Sequence, residues 1–135
     1  MKTKTKKFKA SIIIVNYNNA KFIDQCVSSI VGQDYQNIEI IFVDDASNDN
    51  SLEVVRRHKN IRIIKNKTKV GIGSVDQMEA YYLGYKKAKG EIIFLLDSDD
   101  YFKKKKISII MKKFHDNDQL KIVSDLPIKK YSKKK

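Results

Sequence analysis

Four short apolar runs, each followed by a stretch with helical spacing, restrict this chain more than any other feature. The runs are Ser11–Val15, Ile38–Val43, Ile61–Ile64 and Glu91–Leu96. Strands buried on both faces read as near-continuous apolar, β-branched segments, and amphipathic helices between them imply a parallel sheet covered on both sides. After the first run, Asn18 or Asn19 is placed to cap a helix. Phe22, Ile23, Cys26, Val27, Ile30 and Val31 then recur at helical spacing until Gly32. A short helix is expected from Ser51 to His58, and a longer one from Val75 to Ala88, ending at Gly90. Ile107, Ile110, Met111 and Phe114 mark a fourth helix, and Lys121–Ser124 reads as a fifth strand. The predicted fold is α/β: a Rossmann-like, mostly parallel sheet with helices on both faces. Right-handed crossovers favour the strand order 3-2-1-4-5. Strands 1 and 4 then flank the switch point, where open sheets bind ligands beyond the carboxyl ends of their strands.

A chain of 135 residues supports one core, not two. Its net charge of +12 is unevenly spread. Residues 1–9 and 127–135 each hold five lysines and no acid, which leaves 18 basic against 16 acidic residues between them. The reading is therefore two basic tails around a nearly neutral domain, residues 10–126. Such tails are usually solvated, and the alternative is that they hold the protein against anionic lipid or nucleic acid. The body lacks a basic face rich in aromatics, so no specific nucleic-acid partner is expected. A single cysteine, Cys26, excludes an internal disulfide and a cysteine-based zinc site. Its apolar neighbours make it a small core residue. No apolar run spans a bilayer and no signal-peptide core follows the N-terminal lysines, so the expected location is the cytoplasm, with the membrane's inner face as a peripheral site.

Chemistry collects after strands 1, 2 and 4, in Asn16-Tyr17-Asn18, Asp44-Asp45-Ala46-Ser47 and Asp97-Ser98-Asp99-Asp100. The proposed order makes those strands adjacent, so the three clusters meet on one rim. Asp97-Ser98-Asp99-Asp100 sets three carboxylates in four residues. Like charges so close repel unless they protonate or share a cation, and hard oxygen ligands suit Mg²⁺ or Mn²⁺. A plain turn and helix cap is the alternative for an isolated Asp cluster; the place after a buried strand at the switch point favours the metal. Asp44 and Asp45 are suited to accept from a base N–H or a ribose hydroxyl, or to cap the next helix. Tyr17 is suited to stack on a base or to pack. Gly71-Ile72-Gly73 lacks the third glycine and the preceding strand of a dinucleotide fingerprint, which argues against a nicotinamide site. Lys103–Lys106 reads as a solvated helix start rather than a phosphate clamp, and His58 and His115 as surface residues.

Three segments together resemble the family 2 inverting glycosyltransferases, which have the GT-A fold. They are residues 11–18 (SIIIVNYN), 41–51 (IFVDDASNDNS) and 84–100 (GYKKAKGEIIFLLDSDD), in family order and at family-like spacing. The resemblance covers about residues 10–125. It implies a nucleoside-diphosphate sugar donor, often UDP-linked, and a glycan or lipid-linked acceptor of the kind used in cell-surface polysaccharide synthesis. It assigns Asp45, with Asp44, to the uracil and ribose. It makes Asp97-Ser98-Asp99 the D-x-D motif, with Asp99 the nearest metal ligand and Asp97 nearer the ribose, and it sets Tyr17 in the nucleotide pocket.

Two departures from the family pattern bear on function. Tyr81-Tyr82 stands where many members have Asn, often preceded by a basic residue. The family's acceptor site and carboxylate base lie in a later half, so the base is expected beyond Lys135, with Asp125 a weak substitute. The expected role is the donor-binding half of a metal-dependent transferase. The rivals are a non-catalytic fragment or a binding module acting through the basic tails, and an α/β phosphotransfer protein with Asp97 as acceptor.

Overall fold

The computed structural model describes residues 7–66 and 74–124. Four parallel strands form one sheet: β1 (Ala10–Asn16), β2 (Ile38–Asp45), β3 (Ile61–Asn66) and β4 (Ile92–Asp97). Their order is β3-β2-β1-β4, so the predicted switch point between β1 and β4 is present. The helices are α1 (Ala20–Val31), α2 (Ser51–Arg56), α3 (Ser74–Tyr85) and α4 (Lys106–Asp116).

β1 is buried along its whole length, and strand geometry sends its alternate side chains to opposite faces. Ile12 and Ile14 join Phe42, Phe94 and Leu96 under α1, α2 and α4, where Ile23, Val27, Ile30, Val55, Ile107 and Met111 pack. Ile13 and Val15 join Ile41 and Val43 on the other face, against Ala80 of α3. Each fully buried aliphatic side chain contributes about 1.5–3 kcal/mol relative to exposure. α3 comes close to the sheet because residue 84 is Gly: a Cβ there would lie 2.4 Å from Ile13 Cγ2 and 3.2 Å from Val43 Cγ2.

Gly90 solves a similar problem at the far end of the sheet. A Cβ on it would meet Lys9 O at 2.6 Å and Ser11 N at 2.8 Å. Its amide donates to Ser11 Oγ and Glu39 Oε1, and Ser11 Oγ donates to the same Glu39 oxygen. Lys9 N donates to Glu91 Oε2, and Tyr35 Oη donates to Phe8 O, so the described end of the N-terminal basic segment is tied to the domain. The rest of both tails lies outside the described residues, as do Gly71, Gly73 and Asp125.

The fifth strand is not formed. Lys121–Ser124 has no regular structure and runs past β4 and α4, where it lines a cleft of about 440 Å³ with Leu95 and Ile110. Ile122 is 81% exposed, so the segment gains too little burial to offset its ordering as a strand. The cap of α1 also differs from expectation. Asn19 occupies the cap position without a side-chain cap bond; Asp49 Oδ2, brought from the β2–α2 loop, accepts from Ala20 N at 3.1 Å. His115 is exposed, whereas His58 is half-buried and bonds Asp24 of α1 at 2.7 Å. Among the described residues no helix is long and apolar enough to cross a membrane.

Candidate functional site

Parallel strands end on the same edge, so adjacent β2, β1 and β4 deliver their last residues to one rim. The register pairs Asn16 with Asp44 and Val15 with Asp97. The three polar clusters found in the sequence therefore converge, as expected.

The β1 and β2 ends are laced together, with the Ser47 hydroxyl among the bridging groups. Ser47 Oγ donates to Asp44 Oδ1 at 2.6 Å and accepts from Asn16 Nδ2 at 3.1 Å and from Asn18 N at 3.0 Å. Asn16 Nδ2 also donates to Asp44 Oδ1, and Ser47 N donates to Asp44 Oδ2. Asn18 Oδ1 accepts from Asn48 N and Asp49 N across the two loops. This lacing holds Ala46 at φ 59°, a left-handed conformation that costs a non-glycine residue about 1–2 kcal/mol. Asp44 is fully buried, and both its oxygens take bonds from the loop itself. Asp45 is 4% exposed and accepts from Asn66 Nδ2 of β3 at 2.9 Å. Asn16 Oδ1 is buried and has no partner among the described residues. Tyr17 is 40% exposed beside them.

The β4 end is an acidic turn closed by Asp100 N donating to Asp97 O at 3.0 Å. Ser98 is buried, with its amide on Val15 O and its hydroxyl accepting from Asn19 Nδ2. Asp97 is half-buried, while Asp99 and Asp100 are exposed. Carboxylate oxygens of Asp97, Asp99 and Asp100 all lie within 4.8 Å of one another. Burial, then the charges of Asp99 and Asp97, holds the Asp100 carboxyl above its ordinary value. Beneath the turn, burial and the charges of Asp100, Asp99 and Asp97 push the Cys26 thiol up to about 12. A neighbourhood that disfavours further negative charge is one that a cation relieves. Asp97, Asp99 and Asp100 are the residues here that could hold a metal ion.

Two residues of α3 reach the acidic cluster: Gln77, which the sequence does not single out, and Tyr81, which it marks only as a departure from the family pattern. Gln77 Nε2 and Tyr81 Oη, four residues apart on α3, both donate to Asp97 Oδ1 at 2.5 Å. Burial, reinforced by that bond, pushes the Tyr81 phenol well above its ordinary value. The i, i+4 spacing was the available signal, because it puts both side chains on one helix face; which strand end they reach is not local information. Of Lys103–Lys106, the first three are exposed ahead of α4, whereas Lys106, which starts the helix, is half-buried with its ammonium over the Phe102 ring.

The model of the Glycosyl transferase family 2 matches residues 11–133. The chain belongs to that family. It is 42% identical over 98 residues to UDP-Glc:alpha-D-GlcNAc-diphosphoundecaprenol beta-1,3-glucosyltransferase WfaP of Escherichia coli, an alignment covering 73% of this chain and 38% of WfaP. Its fold matches that of Staphylococcus aureus TarS residues 1–349 in complex with UDP-GlcNAc, with TM-score 0.71 and 28% identity, over 80% of this chain and 31% of that one. It also matches mannosyltransferase PcManGT of Pyrobaculum calidifontis, in complex with GDP-Man and Mn²⁺, with TM-score 0.63 and 26% identity, over 73% of this chain and 29% of that one. The chain spans between about a sixth and about two fifths of the length of the curated relatives it matches.

Proposed function

We propose that the rim binds a nucleoside-diphosphate sugar, UDP-linked, together with Mn²⁺ or Mg²⁺, and serves inverting transfer of the sugar to a glycan or lipid-linked acceptor. The observation that carries this is the placement of Asp45 at the end of β2 and of Asp97 and Asp99 at the end of β4, on either side of β1 and on one rim of the parallel sheet. The UDP-GlcNAc complex of TarS and the UDP-Glc donor in the name of WfaP support a UDP-linked donor; the Mn²⁺ in the mannosyltransferase complex supports the metal. The diphosphoundecaprenol acceptor in the name of WfaP supports a lipid-linked acceptor, and with it work at the inner face of the membrane.

In this reading Asp45, fixed by Asn66, accepts from the base or ribose, with Asp44 holding the loop that presents it. Tyr17 covers the base, Asn16 and Asn18 shape the pocket floor, and Ser98 sets the turn. Asp97 faces the ribose and Asp99 holds the metal. When bound, the ion supplies a Lewis acid and a template beside the leaving diphosphate. The described residues then bind and orient the donor, and none of them is assigned the role of acceptor base. Calorimetry with UDP and UDP-sugars, with Mn²⁺ and with EDTA, tests the proposal. Affinity that ignores EDTA, or none for any nucleotide sugar, refutes it.

A further inference from the structure

We infer that Gln77 and Tyr81 are positioning residues of the donor site, acting through Asp97. The inference rests on the donor-site reading above and adds to it the role of α3. Asp97 is the last residue of β4, and its backbone is set by pairing with Val15. Its side chain still has rotamers to choose from. Gln77 Nε2 and Tyr81 Oη both donate to Oδ1 and remove that choice. Among the described residues no hydrogen bond reaches Oδ2, so one oxygen is held and the other is left for a ligand.

The donors themselves are well placed to hold. α3 is seated on the sheet by Ala80 and by the close approach at Gly84, so Tyr81 reaches the rim from a fixed base. Both donors are also neutral. Where many family members carry a basic residue at the place of Tyr81, this neutral pair leaves uncancelled the negative charge that Asp97, Asp99 and Asp100 present together. An amide and a phenol orient the carboxylate and leave its charge in place for a cation. Hydrogen bonds to a charged acceptor are the stronger kind, which suits a clamp on one carboxylate oxygen.

The test is a set of UDP titrations with Mn²⁺ on the full chain and on Tyr81→Phe, Gln77→Leu, Asp97→Ala and Asp97→Ala/Tyr81→Phe. An NMR titration extends the range to weak binding, and thermal melts accompany each variant. Tyr81→Phe keeps the ring packed and removes only the hydroxyl. It is expected to weaken UDP binding about tenfold, the equivalent of ~1.4 kcal/mol, with little change in melting temperature. In the Asp97→Ala background the same change is expected to cost less than about twofold, since the residue it acts through is gone. A full loss persisting in that background would mean that Tyr81 touches the donor itself, and would overturn the inference. So would unchanged affinity in both single variants. If Asp97→Ala abolishes detectable binding, the ¹³Cγ resonance of Asp97 in the free protein decides: it shifts on Tyr81→Phe if the hydroxyl holds it, and stays if not. A wild-type chain that binds neither UDP nor Mn²⁺ sinks the donor-site reading as a whole; variants that bind as well as wild type sink only this inference.

Discussion

Ser47→Ala should unlock the rim without touching the core. The hydroxyl makes three contacts: one within the β2 end, to Asp44 Oδ1, and two across to the β1 end, from Asn16 Nδ2 and Asn18 N. Their weights differ. The 2.6 Å bond to a fully buried carboxylate is the costly one to lose, about 1.5–3 kcal/mol for a hydrogen bond to a charged group. The Asn18 amide is exposed, so water replaces Ser47 there at little cost. Asn16 Nδ2 keeps its 2.9 Å bond to Asp44, and the Ser47 amide keeps its own bond to the other oxygen. The net loss should be roughly 1.5–3 kcal/mol, a large part of the 5–15 kcal/mol that holds a domain folded. For a chain of this size that corresponds to a fall in melting temperature of about 10 °C. Urea denaturation measures the free energy directly, and UDP titration should show a parallel loss, because the same loop presents Asp45. A stability change below about 0.5 kcal/mol would refute the assignment of Ser47 as a link, since surface substitutions give changes of that size with no such role.

Two further outcomes follow from the same geometry. Asp99→Asn should weaken Mn²⁺-dependent UDP binding at least about tenfold, and more than Asp100→Asn does; equal losses by calorimetry would show the metal roles to be wrongly divided. Burial raises the Glu39 carboxyl, but the bonds from Ser11 and the Lys89 and Gly90 amides, with the Lys9 charge, outweigh it and leave its pKa below the ordinary 4.5. A depressed folded value means its contribution to stability is present above pH 4.5 and is lost as pH falls through the folded pKa. Glu39→Gln should therefore lower stability at neutral pH and flatten the acid side of the stability profile; an unchanged profile between wild type and variant below pH 4.5 would contradict this.

Much of this protein is legible in its sequence. β-branched runs such as Ser11–Val15 and Ile38–Val43 bury both faces, so they admit a strand in a covered parallel sheet and little else. Chain direction then requires the residues after each run to share an edge, which is why Asn16, Asp45 and Asp97 lie on one rim. Cys26, flanked by Ile23, Val27 and Ile30, was equally a core residue by helical period alone. These are local or topological facts, set by side-chain shape, periodicity and handedness.

What only the tertiary structure decided are the contacts made across long stretches of chain. The α1 cap comes from Asp49, 29 residues on, not from Asn19 beside it. Ser47 sits in a cluster of polar turn residues, and its hydroxyl takes two bonds from the β1 end. Gln77 and Tyr81 lie on a helix whose sequence carries no sign of Asp97, 20 and 16 residues away. Lys121–Ser124 has the composition of a strand but no ladder, because pairing depends on burial against β4 that the segment does not achieve. Propensity and period state what a segment is able to form. A hydrogen bond between distant residues also needs both ends fixed in space, and that is settled only when the sheet and its helices have packed.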